Sequence, residues 1–307
     1  MDLSQDIKNK AFEIGFSKIG IAKAAVYETD QANLNEWIKN GYHGSMGWIE
    51  KREQERSNIF KYYPNAKSVI SVAINYFTGY AKDYFLDHKI SNYAWGDDYH
   101  ILIKSKLHEL LHYIKKYHYN INGICCVDTS PISEKVWAQR AGLGWIGKHT
   151  NLITREFGSW VFLGEIITDL ELKYDEPFNS DLCGTCTACI EACPTNAIIS
   201  DYKLDANKCI SYQTIENKGE IPVDFSDKMD NWIYGCDICQ EVCPWSQKFS
   251  IVSNQASFQP RQFLINNGSD YLYNLSIDEY SFLFKKSAMK RTKLKGLKRN
   301  IDFIDMN

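Results

Sequence analysis

The sequence predicts an α+β fold in which an α/β sandwich domain precedes a cysteine-rich domain and a short basic C-terminal segment. Helical and strand-like patterns alternate over about the first 170 residues, eight cysteines then form two motifs, and lysines and arginines crowd the end of the chain. A chain of 307 residues is long enough for about two domains. We therefore expect domains at residues 1–170 and 171–255, followed by the basic segment 256–307.

Apolar periodicity predicts the elements of the first domain. Apolar residues recur at helical spacing in some stretches and form strand-like runs in others. The expected helices span residues 3–15, 30–40, 98–117 and 133–142, and the expected strands lie near 19–22, 67–77, 121–129 and 152–168, the last as a hairpin around Gly158. Ser133 and Gly142 are expected to cap the last helix. Such a mixture is typical of an α/β sandwich, and the acidic stretch 169–181 is the expected linker.

The cysteine motifs carry the most specific chemical signal. They read CGTCTACIEACP (183–194) and CDICQEVCP (236–244), and Cys209 lies between them. In bacterial two-cluster ferredoxins the fourth cysteine of one such run binds the other cluster. We therefore expect two [4Fe–4S] clusters, with two four-cysteine zinc sites as the alternative. Cluster 1 is assigned to Cys183, Cys186, Cys189 and Cys243, and cluster 2 to Cys193, Cys209, Cys236 and Cys239.

Cysteines of this number predict metal ligands rather than disulfides if the chain stays in the cytoplasm. The N-terminal stretch has acidic residues and a helical pattern, unlike a secretory signal, and no apolar run approaches 18 residues. We expect a cytoplasmic protein without a membrane span. Cys125 and Cys126, outside the motifs, are expected to be small core residues.

The first domain is expected to hold the group that the clusters reduce. Clusters transfer single electrons, so a two-electron reduction needs a cofactor such as flavin, haem or cobalamin. Neither a GxGxxG turn after a strand nor a Walker motif occurs, so a nucleotide cofactor is not indicated.

Four blocks before the cysteines make the sequence recognisable. They read GYHGSMGWIEKREQERSNIFKYYPNAKSVISVAINY, YAWGDDYH, VDTSPISEKVWAQRAGLGWIGKHTNLI and GSWVFLGEIITDL. Over about residues 5–300 the chain resembles epoxyqueuosine reductases, in a short form without the C-terminal HEAT-like domain of many relatives. The resemblance implies cobalamin and two [4Fe–4S] clusters. It also implies that the epoxide of epoxyqueuosine at the tRNA wobble position is reduced to queuosine with loss of water, the last step of queuosine biosynthesis.

The resemblance also implies roles for single residues. Asp128, in VDTSP, matches the family's proton donor, and a turn or helix-capping aspartate is the alternative. Cobalamin is expected base-off with no protein ligand to cobalt, so His100, in an incomplete D-x-H signature, is expected to be packing or polar surface. Many relatives have Arg at Lys135, and Lys keeps the charge without the planar fork. The expected cobalamin contacts, with ordinary packing as the alternative, are Arg56, Tyr76, Asp128, Lys135, Leu152, Leu163, Ser211 and Asp237.

Aromatic and glycine residues give weaker signals. The glycines of AGLGWIGK allow close approach of a ligand to the backbone. Tryptophans are expected mainly in the core, with the lining of a cofactor or base pocket as the alternative, at Trp48, Trp95, Trp137, Trp145 and Trp160.

Basic residues predict the tRNA contacts. The stretch 285–299 carries eight Lys or Arg and no Asp or Glu, in a chain of net charge −3. Such a segment can bind phosphates. A solvated tail is the alternative, although Leu294 and Leu297 suggest anchoring to the fold. The expected contacts are Lys218, Lys290, Arg291, Lys293 and Lys295.

The expected partners follow from the same resemblance. They are tRNA with a GUN anticodon that carries epoxyqueuosine and an electron donor of the ferredoxin or flavodoxin type, with the protein as a monomer. The alternatives are a cobalamin and iron–sulfur reductase of a small molecule, like a reductive dehalogenase, and an electron-transfer subunit without chemistry of its own. The long first domain with its VDTSP block argues against the last of these.

Overall fold

The computed structural model describes residues 2–85 and 87–306, so the predicted domain ends at Met1 and Asn307 lie outside the described residues. The strands are β1 (Lys18–Lys23), β2 (Ser68–Asn75), β3 (Lys89–Ile90), β4 (Gly123–Cys126), β5 (Trp145–Ile146), β6 (Leu152–Ile153), β7 (Val161–Thr168), β8 (Ile198–Ser200), β9 (Lys203–Leu204) and β10 (Trp232–Tyr234).

Helices occur along the whole chain. They are α1 (Leu3–Ile14), α2 (Glu28–Lys39), α3 (Gly47–Lys51), α4 (Glu53–Ser57), α5 (Ile59–Tyr62), α6 (Tyr99–Tyr117), α7 (Glu134–Arg140), α8 (Ala188–Glu191), α9 (Ile210–Ile215), α10 (Ile238–Glu241), α11 (Pro244–Phe249), α12 (Gln262–Ile265), α13 (Ser269–Tyr273), α14 (Ile277–Leu283) and α15 (Lys293–Asp305). Short 3₁₀ segments are Ala81–Asp83, Asn92–Ala94, Ala206–Lys208, Val223–Phe225, Ala256–Phe258 and Ala288–Arg291.

An antiparallel sheet with strand order β1-β2-β7-β4 organises the first part of the chain. Side chains alternate between its two faces. One face, with Ile70 and Val72, packs against α1 and α6, and the other, with Val69 and Ala73, packs against α7. The sheet and the helices that cover it, called the sheet domain below, therefore form the expected α/β sandwich, and every residue of β2 is buried.

Local signals fix the ends of the main helices. The Asp2 carboxylate accepts a hydrogen bond from the Ser4 N–H at the start of α1, and Gly15 ends the helix with φ +95°. Ser133 occupies the N-cap position of α7, but its hydroxyl donates to the Arg56 carbonyl instead of capping the helix. Gly142 lies just beyond α7 with φ +79°, as expected of a glycine after a helix.

The predicted hairpin around Gly158 is wrong. Strand β6 pairs with β5, whereas β7 joins the central sheet, and Thr154 and Gly158 form an isolated bridge. The reason is a tertiary contact. Gly158 has φ +57°, and a Cβ added there would lie 2.4 Å from the Cα of Ser246. The loop is therefore held by the second part of the chain and not by a partner strand.

The basic C-terminal segment is folded, and the solvated-tail alternative is wrong. Helix α15 buries Leu294, Leu297 and Ile301. The amide of Asn300 donates to the carbonyls of Thr214 at 2.9 Å and Ile233 at 2.8 Å. The lysines of α15 consequently project from an anchored helix.

A second hydrophobic core joins distant parts of the sequence. Phe85, Ile90 and Trp95 pack with Leu297 and Ile301, and β3 pairs in parallel with β10. Phe85, Ile90 and Trp95 therefore contribute to the core under the C-terminal helices, whereas Tyr93 packs against both this core and the core of the sheet domain. Across residues 2–85 and 87–306, no helix combines the length and the apolar character needed to cross a membrane.

Candidate active site at the junction of sheet and cysteine segment

Asp128 lies where the chain leaves the sheet after β4. Its φ is +49°, a left-handed conformation that is uncommon outside glycine and more tolerable for Asp and Asn. Its N–H donates to Oε1 of Glu134 at 2.5 Å, and its Oδ2 lies 3.0 Å from Nε2 of His100. The side chain is still 58% exposed. Residues from α6 and α7 thus hold a carboxylate that remains open to a ligand.

His100 holds a proton beside Asp128. Its Nδ1 lies 2.6 Å from Oδ1 of Asp98, and its Nε2 contacts Asp128. Burial lowers the pKa of His100, but hydrogen bonds to Asp128 and Asp98 and their charges outweigh burial and raise the pKa to about 9. His100 is a partly exposed polar residue, as expected, and its ring also bridges the carboxylates of Asp98 and Asp128.

Two glutamates behind Asp128 were missed in the sequence. The pKa of Glu134 is raised to about 8, mainly by burial and secondly by the negative charge of Asp128. The hydrogen bond from the Asp128 N–H and the positive charges of His100 and Lys135 act in the opposite direction but are weaker. Glu165 is fully buried in β7, neither of its carboxyl oxygens has a hydrogen-bond partner within the described part of the chain, and burial raises its pKa well above the usual range. A glutamate inside the apolar run WVFLGEIIT was the available signal.

Arg56 and Lys135 place positive charge beside Asp128. Nη1 of Arg56 donates to the Ile132 carbonyl at 3.3 Å, while its buried Nε has no hydrogen-bond partner among residues 2–85 and 87–306. The Lys135 side chain is exposed at one end, but most of it lies among protein atoms. Partial desolvation lowers the pKa of Lys135, whereas the negative charges of Glu134 and Cys239 act to raise it. Lys135 therefore lies where the sheet domain faces the second cysteine motif.

Tyr76 and Asp237 connect the two sides of this junction. The Tyr76 hydroxyl donates to Oε1 of Gln240 at 3.4 Å, and the charge of Asp237 acts on it. Burial raises the pKa of Asp237 to about 7, against hydrogen bonds from the Ser91 hydroxyl at 2.5 Å and the Asn92 N–H at 2.7 Å. We call the group formed by Tyr76, Asp128, Lys135 and Asp237 the junction site.

The remaining predicted cofactor contacts are placed differently. Leu152 and Leu163 are buried in the hydrophobic cluster under α7. Ser211 lies in α9, and its backbone N–H acts on the Cys209 sulfur. Leu152 and Leu163 therefore belong to the hydrophobic core, and Ser211 lies beside a cluster cysteine.

The eight motif cysteines fall into two groups. A cavity of about 140 Å³ is lined by Cys183, Cys186, Cys189 and Cys243, which places the last cysteine of the second motif with three of the first. The second group is indicated by electrostatic coupling. The charge of Cys239 raises the pKa of Cys236, and the charges of Cys209 and Cys193 raise the pKa of Cys239. Among the described residues, no three His, Cys, Asp or Glu side chains converge on a point suited to one metal ion. Cys126 is buried, and the Cys125 sulfur lies 3.6 Å from Nδ1 of His108.

His149 borders the cavity of the first group, and Trp145 packs beside it against Ile153 and Cys243. His149 lines the cavity, and its Nδ1 accepts a hydrogen bond from the Asn151 N–H at 3.2 Å. Burial, followed by the charge of Lys135, lowers the pKa of His149 to about 4, so the ring is neutral. Burial raises the pKa of the Cys183 thiol, against the Trp145 indole N–H and the Lys148 backbone N–H, which favour the thiolate.

The five predicted tRNA-binding side chains differ in whether their charged groups already have partners within the protein. Lys290, Lys293 and Lys295 are exposed. Arg291 pairs with Glu216 through two nitrogens, at 2.9 and 3.0 Å. The ammonium of Lys218 donates to the Ile215 carbonyl at 2.6 Å. The three exposed lysines are therefore the most available to phosphates.

One tryptophan is exposed beside these charges. Trp48 is 40% exposed, and the guanidinium of Arg291 lies 5.0 Å from its ring centroid. The charge of Asp128 also acts on Arg291. Trp48 therefore flanks the approach to the junction site, whereas the core prediction holds for Trp95, Trp137, Trp145 and Trp160, which are buried.

Two family models match parts of the chain. Residues 182–246 match the 4Fe-4S double cluster binding domain, which supports two iron–sulfur clusters and not the zinc alternative. Residues 56–129 match Epoxyqueuosine reductase QueG, DUF1730.

Curated relatives match over nearly the full length. The epoxyqueuosine reductase of Cellulophaga algicola is 45% identical over 97% of this chain and 96% of its own. That of Leadbetterella byssophila is 46% identical over 99% of this chain and 98% of its own.

Solved structures confirm the predicted α+β fold class. Epoxyqueuosine reductase from Streptococcus thermophilus matches with a TM-score of 0.88 at 31% identity, over 99% of this chain and 80% of that one. A crystal structure of epoxyqueuosine reductase with a tRNA-Tyr epoxyqueuosine-modified stem loop also has a TM-score of 0.88, at 30% identity over 98% of this chain and 80% of that one. A catabolic reductive dehalogenase, at 19% identity and a TM-score of 0.48, is too distant to bear on function.

Proposed function

Because the chain belongs to the epoxyqueuosine reductase family, we propose that its junction site is where the epoxide of epoxyqueuosine in tRNA is reduced to the alkene of queuosine. The enzyme is an oxidoreductase, and the reaction is the last step of queuosine biosynthesis. Two electrons and two protons are consumed, both carbon–oxygen bonds of the epoxide break, a carbon–carbon double bond forms, and the oxygen leaves as water. The observation that carries this assignment is the exposed Asp128 carboxylate, held by His100 and Glu134 next to the cysteine segment.

Asp128 is the proposed proton donor to the departing oxygen. An alkoxide is a poor leaving group, so a positioned acid is needed as the carbon–oxygen bond breaks. His100 is placed to return a proton to Oδ2 of Asp128 across their 3.0 Å contact. Glu134 is a positioning residue, because it accepts the Asp128 N–H and so fixes the unusual backbone conformation.

Cobalamin is the proposed group between the clusters and the substrate. When bound, it supplies the electron-rich cobalt that passes the electrons to the epoxide. We propose that a large polar cofactor binds at the junction site, because Nε of Arg56 is buried without a hydrogen-bond partner among the described residues and Lys135 faces the second cysteine motif. Both ring nitrogens of His100 are engaged by carboxylates, which supports a cofactor without that histidine as a cobalt ligand, and we propose that cobalamin binds base-off. The remaining proposed contacts are Tyr76, Leu152, Leu163, Ser211 and Asp237.

Turnover under anaerobic conditions tests this function. Reconstituted protein, cobalamin, a strong reductant and tRNA carrying epoxyqueuosine are combined, and the digested tRNA is analysed by mass spectrometry. We expect queuosine to appear only when cobalamin is present. Absence of product, with both clusters and cobalamin bound, would favour a small-molecule substrate and overturn the assignment.

The proposed partners are a tRNA with a GUN anticodon and a ferredoxin or flavodoxin that reduces the clusters. Cys186, a proposed ligand of cluster 1, is exposed, which supports entry of electrons through cluster 1. We further propose that the protein acts in the cytoplasm as a monomer. In solution, light scattering with and without tRNA would test the monomer.

Neutralising three lysines is expected to weaken tRNA binding. Lys290, Lys293 and Lys295 are exposed on an anchored part of the chain, so replacing each with Gln removes three phosphate contacts without unfolding the segment. The slope of log affinity against log salt should become shallower by roughly 2. Affinity is measured at several salt concentrations with a fluorescent anticodon stem loop. Lys116→Gln, on the last turn of α6, is the matched control, and an unchanged slope in the triple variant would contradict the proposed contacts.

Turnover is expected to fall above about pH 9, where His100 loses its proton. Folding raises the pKa of His100 from 6.5 to about 9. Its contribution to stability is therefore complete below pH 6.5, declines up to pH 9 and is lost above it. His100→Gln should reduce single-turnover rates on the order of 10²-fold and remove the decline near pH 9. A variant with the wild-type pH profile would exclude His100 from the proton supply.

A further inference from the structure

We propose that His149 and Trp145 are redox-tuning residues, whose ring N–H groups donate hydrogen bonds to sulfurs of cluster 1 and raise its reduction potential. Cluster 1 is the cluster assigned to Cys183, Cys186, Cys189 and Cys243. The inference rests on this ligand assignment, and it concerns the electron supply and not the epoxide chemistry.

The tautomer of His149 follows from its surroundings. Its Nδ1 accepts a hydrogen bond from the Asn151 N–H, so Nδ1 carries no proton, and a neutral imidazole must then carry its proton on Nε2. The residue is 2% exposed and lines the four-cysteine cavity. Within the described protein, Nε2 has no hydrogen-bond partner. His149 therefore presents an unused donor at the wall of a cavity bounded by thiols.

Trp145 brings a second unused donor to the same group of cysteines. The residue is 1% exposed, and its Nε1 has no hydrogen-bond partner of standard geometry in the described protein. The indole packs with Cys243 and Cys183, two of the cysteines assigned to cluster 1. The position of Trp145 is fixed by strand pairing, because it lies opposite Ile153 in the β5-β6 pair. Ile153 lines the four-cysteine cavity.

Two unpaired buried donors in one place need an acceptor. Leaving a buried N–H unpaired costs free energy, because the group has lost its hydrogen bonds to water. Thiolate and sulfide sulfurs of a reduced cluster carry negative charge, and hydrogen bonds to charged acceptors are stronger than neutral ones. The reduced state is the more negative state, so the N–H groups stabilise it more than the oxidised state. Hydrogen bonds to the sulfurs are one of the factors that set cluster potentials.

Redox titration of the reconstituted holoenzyme, followed by electron paramagnetic resonance, tests the proposal without substrate. His149→Leu removes the donor, whereas His149→Asn retains an oxygen for the Asn151 N–H and an N–H donor. Trp145→Phe removes the indole donor. The matched control is Trp160→Phe, because Trp160 also has a buried Nε1 without a partner but packs against Phe77 in the sheet domain.

We expect one of the two cluster potentials to become more negative in His149→Leu. The ratio of oxidised to reduced cluster at a fixed potential should rise at least tenfold, which is 59 mV for a one-electron couple. Trp145→Phe should shift the same cluster in the same direction, His149→Asn should shift it less than the Leu variant, and Trp160→Phe should shift neither cluster.

Unchanged potentials in His149→Leu and Trp145→Phe would overturn the proposal, as would an equal shift of both clusters. If His149→Leu does not assemble the cluster, Trp145→Phe decides alone. These results are independent of queuosine formation, so failure of the tuning proposal is distinguishable from failure of the proposed function.

Discussion

Asp128→Asn is expected to abolish most queuosine formation while both clusters and cobalamin remain bound. The amide has nearly the same size but has no acidic proton for the departing oxygen, and general acid catalysis typically contributes about 10²–10⁴-fold. The side chain is exposed and packs little, so the fold should be retained. Single-turnover product formation, measured by mass spectrometry after anaerobic mixing, should fall within that range.

The matched control for this prediction is Asp270→Asn, an exposed aspartate on α13 outside the junction site. It should turn over at the wild-type rate. Asp128→Asn with full activity and both cofactors bound would remove Asp128 as proton donor. Loss of cobalamin from the variant would instead assign the aspartate a binding role.

Cys243→Ala is expected to remove the same cluster as Cys183→Ala and to abolish turnover. Cys243 belongs to the second motif by sequence, but it lines the cavity of Cys183, Cys186 and Cys189. A cluster that loses one of four thiolates should be lost or degraded, and the electron path through it is then broken. Iron content and the resonance spectrum of the reduced protein should match between these two variants.

The control is Cys236→Ala, which should leave a different spectrum because the other cluster is affected. If Cys243→Ala matched Cys236→Ala instead, each motif would bind its own cluster and the crossed assignment would be wrong. Wild-type spectra in Cys243→Ala would exclude the residue as a ligand altogether.

Sequence patterns predicted the parts of the fold that depend on local periodicity. The four expected helices of the sheet domain and three of its strands begin and end within three residues of the observed bounds. The hairpin prediction failed because the loop at Gly158 is held by Ser246, which is 88 positions away in the printed sequence. The solvated-tail alternative failed because the apolar face of α15 meets a core assembled from distant segments.

The site was predictable to the extent that single residues carry a motif. Asp128 and the cysteines stand in recognisable blocks, so they were named from the sequence. The partnership of His100 with Asp128 was missed because it joins α6 to the end of β4 across 28 residues. Glu134 was missed because its role depends on a backbone N–H, which no residue type reports. Pairings of this kind depend on how elements pack and not on local spacing.

The core that unites Phe85 and Trp95 with Leu297 and Ile301 sets an order of events during synthesis. The ribosome makes residues 81–95 long before it makes their packing partners in α15. The early segment must wait with its aromatic side chains unburied, and chaperones that bind exposed apolar chain can act in that interval. This core can therefore close only once α15 has been made, so the early segment folds much later than it is synthesised.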